Sequence, residues 1–178
     1  MRKLITILTF AIISLSCNKS DKKHSSLSEI NTDSLLKKSL KLEFIYRTNK
    51  SDVFKIMMNN IEVDELQKKH IHISENVEPS SNDDYIIAKF DPDNLSKQIV
   101  ISLGNNNEKE VIIKSIIVSY GDKQFNLISP EDLNSNLVFN KFIIRDSTSN
   151  VISTKRIQGK LNPTIRLKNS LINQLERE

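Results

Sequence analysis

From residue 40 onward the chain alternates apolar and polar side chains, the period of a β-strand with one buried face. Leu40, Leu42, Phe44 and Tyr46 interleave with Lys41, Glu43, Ile45 and Arg47. After a polar turn from Asn49 to Asp52, Phe54, Ile56 and Met58 repeat the pattern. His70-Ile71-His72-Ile73 reads as a short strand. Tyr85 to Phe90 is a stronger one, ending in the turn formers Asp91-Pro92-Asp93-Asn94. Ile99, Ile101 and Leu103 make the next strand, closed by Gly104-Asn105-Asn106-Asn107.

Val111 to Tyr120 carries the strongest strand signal in the chain. Unbroken alternation sends Val111, Ile113 and Ile117 one way and Ile112, Ile116, Val118 and Tyr120 the other. Apolar groups on both faces predict a central strand covered on both sides. Gly121-Asp122 turns the chain into a strand over 124–128. Ser129 and Pro130 then open a single helical turn as cap and first residue. Further strands are expected over 137–144, 151–157 and 164–167, and a short C-terminal helix over 170–178 with Leu171, Ile172 and Leu175 on one side. The crossover helices that parallel strands require are missing from this pattern. The expected fold is therefore all-β, an antiparallel β-sandwich of jelly-roll-like type.

The first residues follow a different logic. Arg2 and Lys3 precede an apolar run from Leu4 to Ile13 that is interrupted only by Thr6 and Thr9, the layout of a secretory signal. The run is shorter than the ~20 apolar residues that a membrane-crossing helix needs. Ile13-Ser14-Leu15-Ser16-Cys17 resembles a lipobox, with Ser14 in the slot where such motifs usually carry leucine. The resemblance implies a bacterial lipoprotein cut before Cys17 and lipidated on that sulfur. Cys17 is also the only cysteine, so an internal disulfide is impossible. A polar stretch follows, with Asp33 placed to cap one helical turn. The expected divisions are a signal peptide over 1–16, a lipidated tether over 17–38 and the sandwich over 39–178. Asn18 is not the aspartate that marks inner-membrane retention, and no acidic cluster follows it. The expected address is thus the outer membrane, facing the periplasm.

Charge narrows the partners. The chain has 26 Lys and Arg against 22 Asp and Glu, a net charge of +4. Loss of Arg2 and Lys3 with the signal brings it closer to balance, and the charges are interspersed. Nucleic acid, which selects basic residues gathered on one face, is not an expected partner.

Phe90-Asp91-Pro92, the run from Ile99 to Gly104, the strand from Val111 to Ile117 and Tyr120-Gly121-Asp122-Lys123-Gln124-Phe125 together resemble the jelly-roll sandwiches of carbohydrate-binding modules. Such modules occur in exported bacterial lipoproteins and beside membrane enzymes of surface-polysaccharide synthesis. The resemblance covers roughly residues 40 to 168 and implies a fold, not particular functional residues.

Candidate chemistry is sparse. His70 and His72 share a strand face, but no further ligand stands at metal-binding spacing, and an exposed polar strand face explains them. Asp91, Asp93 and Asn94 offer oxygen ligands to a structural calcium, although turn chemistry accounts for the same residues. No nucleophile elbow, zinc-protease motif or phosphate loop is present, so no enzyme and no cofactor are expected. The candidates for ligand contact are Tyr85, which opens its strand, Tyr120, which ends the central one, and Asn105 and Asn106 in the asparagine-rich loop. Tyr46 continues the apolar face of Leu42 and Phe44 and reads as core. The expected function is a non-enzymatic binding or assembly module of the cell envelope, with an envelope protein or a glycan as partner. A carbohydrate-binding lipoprotein or a hydrolase accessory protein is the alternative.

Overall fold

The computed structural model describes residues 38–59, 70–90 and 98–177. The signal, Cys17, the tether as far as residue 37 and the proposed calcium ligands Asp91, Asp93 and Asn94 lie outside the described residues.

The described residues form an antiparallel β-sandwich of two sheets. The strands are β1 (Leu40–Thr48), β2 (Asp52–Asn59), β3 (His70–Val77), β4 (Asp84–Lys89), β5 (Gln98–Ser102), β6 (Glu110–Tyr120), β7 (Lys123–Leu127), β8 (Leu137–Phe139), β9 (Ile143–Arg145), β10 (Val151–Thr154) and β11 (Thr164–Leu167). Helix α1 spans Pro130–Asn136 and α2 spans Asn169–Glu176. The first sheet runs β4-β1-β6-β10-β9, with β7 also on β6; the second runs β3-β2-β5-β11-β8. The chain passes repeatedly from one sheet to the other. Among the described residues no helix is long and apolar enough to cross a membrane.

Alternation does what the sequence predicts on β1: Leu40, Leu42, Phe44 and Tyr46 are buried, and the residues between them are half-exposed. Phe54, Ile56, Met58, Ile99, Ile101, Ile165 and Leu167 face them from the second sheet. The Phe44 and Tyr46 rings stack with centroids 4.9 Å apart, and Phe54 meets Tyr46 at 5.1 Å across the core. Each such side chain contributes about 1.5–3 kcal/mol when withdrawn from water, so a core this large needs no disulfide. Leu171, Ile172 and Leu175 of α2 and Leu133 of α1 join the same core.

The central strand departs from unbroken alternation. Its register with β1 slips between Ile45 and Tyr46, which pair with Ser115 and Ile113, leaving Lys114 as an extra residue. This β-bulge switches the parity, so Val111, Ile113, Ile116 and Val118 all point into the core. Ile117 therefore faces outward with Ile112, correcting the two-face assignment read from the sequence. One edge of β6 is taken by β1 along its length, and the other is divided between β10 and β7. Asn150 sits at that division: its carbonyl accepts from Ile113 N at 3.0 Å, and its Nδ2 donates to Ile128 O at 2.6 Å.

A second departure concerns residues 137–144, which are two strands in different sheets and not one. Asn140 breaks them. Its Nδ2 donates to Asn162 O and to Thr164 Oγ1, both at 2.7 Å, and its Oδ1 accepts from Phe142 N at 3.2 Å. The expected turn at Ser129 extends into a seven-residue helix closed by a capping box, with Ser129 Oγ accepting from Asp132 N and Asp132 Oδ2 accepting from Ser129 N. The Ser129 amide and that of Ile128, which donates to the same oxygen at 3.2 Å, hold the Asp132 carboxyl below the usual carboxylate range.

Candidate binding surfaces

The described residues present two outer surfaces with recognisable chemistry, and a buried ion pair holds the loop that shapes one of them. Asp52 and Lys109 each stand two residues before an inward-facing core position, Phe54 and Val111, so strand parity points both charges inward. Their side chains are fully withdrawn from solvent, and Lys109 Nζ donates to Asp52 Oδ2 at 2.6 Å. The ammonium also donates to Leu103 O at 2.7 Å and lies 5.8 Å from the centre of the Phe54 ring. Asp52 Oδ2 accepts from the backbone amides of Asn106 and Asn107, both at 3.1 Å, and Oδ1 accepts from Val53 N at 2.8 Å. Burial alone would raise the Asp52 pKa; the hydrogen bonds from Lys109 and the backbone outweigh it and hold the carboxyl below its usual range.

This clasp explains the glycine of the 104–107 loop. Gly104 has φ +77°, and a Cβ there would stand 2.0 Å from Asp52 Oδ1. Asn107 Nδ2 closes the loop by donating to Ser51 O at 2.8 Å, and Arg156 Nη2 donates to Asn106 O at 2.7 Å. The loop backbone is thus held at Asn106 and Asn107, while the side chains of Asn105 and Asn106 are exposed and hydrogen-bonded to no described residue. They line a cleft of about 420 Å³ on the outer face of the second sheet, together with Lys55, Met57, Ser102 and Asn162.

Tyr85 belongs to the opposite surface. It is 65% exposed on edge strand β4, on the outer face of the first sheet. Register places Tyr85 directly across from Ile45, and Ile45 has Ile87, Ile117 and Ile112 on neighbouring diagonals. Ile87 is exposed, and Ile45, Ile112 and Ile117 are half-buried, so the face carries an apolar patch centred on Ile45. Ion pairs frame it: Arg47 Nε donates to Asp83 Oδ1 at 2.6 Å, Lys114 lies 3.9 Å from the same carboxylate, and Lys41 pairs with Glu43. A shallow depression of about 480 Å³ adjoins the patch, lined by Arg47, Ser80, Glu110 and Ile112. From inside, Tyr46 donates its hydroxyl to Asp84 Oδ2 at 3.2 Å, and burial together with this carboxylate raises the Tyr46 pKa.

The sequence-predicted contact residues are therefore divided. Tyr85 lies on the outer face of one sheet, and Asn105 and Asn106 lie beside that of the other. Tyr120 is half-buried and packs against the core edge. His72 is exposed on β3, and no group of three or more His, Cys, Asp or Glu able to hold a metal occurs among the described residues. The Asp52–Lys109 clasp went unread in the sequence, although the parity of both residues signals it.

These surfaces define an all-β sandwich with an apolar outer face on one sheet and an amide-lined cleft on the other. No protein-family model, curated protein or solved structure matches the chain.

Proposed function

We propose that this chain is a non-enzymatic binding or assembly module of the cell envelope, carried on a membrane by lipid on Cys17 and facing the periplasm. The observation that carries the binding part is the Ile45-centred patch, whose Tyr85 and Ile87 stand exposed within a frame of paired charges. Scattered exposed apolar residues are ordinary, but a contiguous patch with a polar rim and an aromatic residue is the anatomy of a protein interface. Tyrosine is among the residues that dominate binding energy at such surfaces. An envelope protein is the partner this chemistry suits.

The lipid anchor rests on the sequence around Cys17. Cell fractionation tests it: the wild-type chain is expected with the membranes, and Cys17→Ala is expected in the soluble fraction. Retention of Cys17→Ala with the membranes would remove the anchor from the account.

The alternative, a carbohydrate-binding lipoprotein, draws its support from the amide-lined cleft and not from the patch.

A further inference from the structure

We propose that the cleft beside Asn105 and Asn106 binds an acidic saccharide, with ring hydroxyls on the amides and a carboxylate on Lys55. This inference stands on residues separate from the Ile45 patch, so either can fail without the other.

The cleft is built for a ligand rich in hydroxyls. Asn105, Asn106 and Asn162 each offer an amide that both donates and accepts, and Ser102 adds a hydroxyl. None of the three amide side chains is hydrogen-bonded to another described residue, so none must break a bond to take a ligand. Register extends this polar lining across the sheet. Ser74, Lys55, Ser102 and Thr164 are successive cross-strand partners on β3, β2, β5 and β11. Val53 and Met57 lie beside Lys55 on the same face of β2 and supply apolar surface for the C–H side of a sugar ring. The volume of about 420 Å³ falls in the roughly 300–1,000 Å³ range of small-ligand clefts.

Charge selects within that class. Lys55 is the only charged side chain among the cleft-lining residues, and it makes no ion pair with a described residue. The Asp52 carboxylate behind the wall is sealed beneath Gly104 and neutralised by Lys109. Among the described lining residues a cation meets no anionic oxygen, whereas a ligand carboxylate meets the Lys55 ammonium. The loop is also preorganised. The Asp52 carboxylate holds its backbone at two amides, so little ordering remains to be done on binding.

The test uses the full lipidated chain in detergent, applied to an array of uronic-acid-bearing saccharides and neutral glucans and mannans. The expected result is retention on carboxylated saccharides in preference to neutral ones. Asn105→Ala/Asn106→Ala should weaken that binding by about tenfold or more, the effect of losing roughly 1.4 kcal/mol of contact. Lys55→Gln should leave residual binding with no preference for the acidic series. Ile45→Lys, on the other face, should bind saccharide like the wild type. All three variants change side chains outside the core, and an unchanged melting temperature verifies that each is folded. Absence of acidic-saccharide binding, equal retention of neutral glycans, or undiminished binding by the Asn105/Asn106 variant would overturn the assignment.

Discussion

Replacing Lys109 with alanine is expected to lower the unfolding free energy by about 3–5 kcal/mol, the cost of leaving a buried charge without its partner. Asp52 has no access to solvent, so it cannot exchange the lost ammonium for water. The three backbone amides that remain stabilise the carboxylate in part, and Leu103 O loses the hydrogen bond it accepts from Lys109. Asp52→Asn in the Lys109→Met background should recover a substantial part of the loss, because it removes the orphaned charge while keeping an oxygen for the loop amides. Urea denaturation of Lys109→Met, Asp52→Asn and the double variant measures this coupling. The pair also sets an acid limit on stability. The folded carboxyl titrates below its unfolded value, about 3.9. Its contribution is therefore complete above that value and is lost as pH falls below it, through the folded pKa. Asp52→Asn should flatten the acid limb of the stability profile.

Gly104→Ala is expected to cost about 3 kcal/mol or more, from backbone strain and a steric clash acting together. At φ +77° any side chain is strained, and the added Cβ would stand 2.0 Å from Asp52 Oδ1. Either the loop or the carboxylate must move, and each movement breaks hydrogen bonds of the clasp. Gly159 provides the internal control: it has the same φ of +77°, but an added Cβ meets nothing within 4 Å. Gly159→Ala should cost only the backbone term, about 1–2 kcal/mol. The difference between the two variants in denaturant midpoint isolates the clash. Gly104→Ala should also weaken any ligand binding at Asn105 and Asn106, whereas Gly159→Ala should not.

The fold was legible where period two runs unbroken. β1, β2, β4 and β5 occupy the segments that alternation marks, and Ser129 with Pro130 announces α1. Alternation failed where a backbone irregularity resets it. The extra residue at Lys114 has no composition signal, since lysine and serine suit either an outward strand position or a bulge. Residues 137–144 read as one strand because Asn140 acts through tertiary hydrogen bonds to Asn162 and Thr164, which lie more than twenty residues away in the chain. The binding surfaces were legible residue by residue but not as surfaces. Tyr85, Asn105 and Asn106 stood out singly. The Ile45 patch emerges only from cross-strand register, which sequence does not specify. Lys55 and Asn162 join the cleft for the same reason. The clasp was readable in principle, because counting back from Phe54 and Val111 by twos puts Asp52 and Lys109 on the inward face.

Site-specific photocrosslinking in the living cell tests the central claim, that this chain works through its Ile45-centred face as an envelope binding module. A photoreactive residue is placed at Tyr85, the exposed residue that pairs with Ile45 on that face, and separately at Val138, an exposed position on the second sheet. The expected result is a discrete adduct to one envelope protein from position 85, lost when Ile45 is also changed to lysine, and no such adduct from position 138. The same adducts from both positions, or none from position 85, would contradict the account.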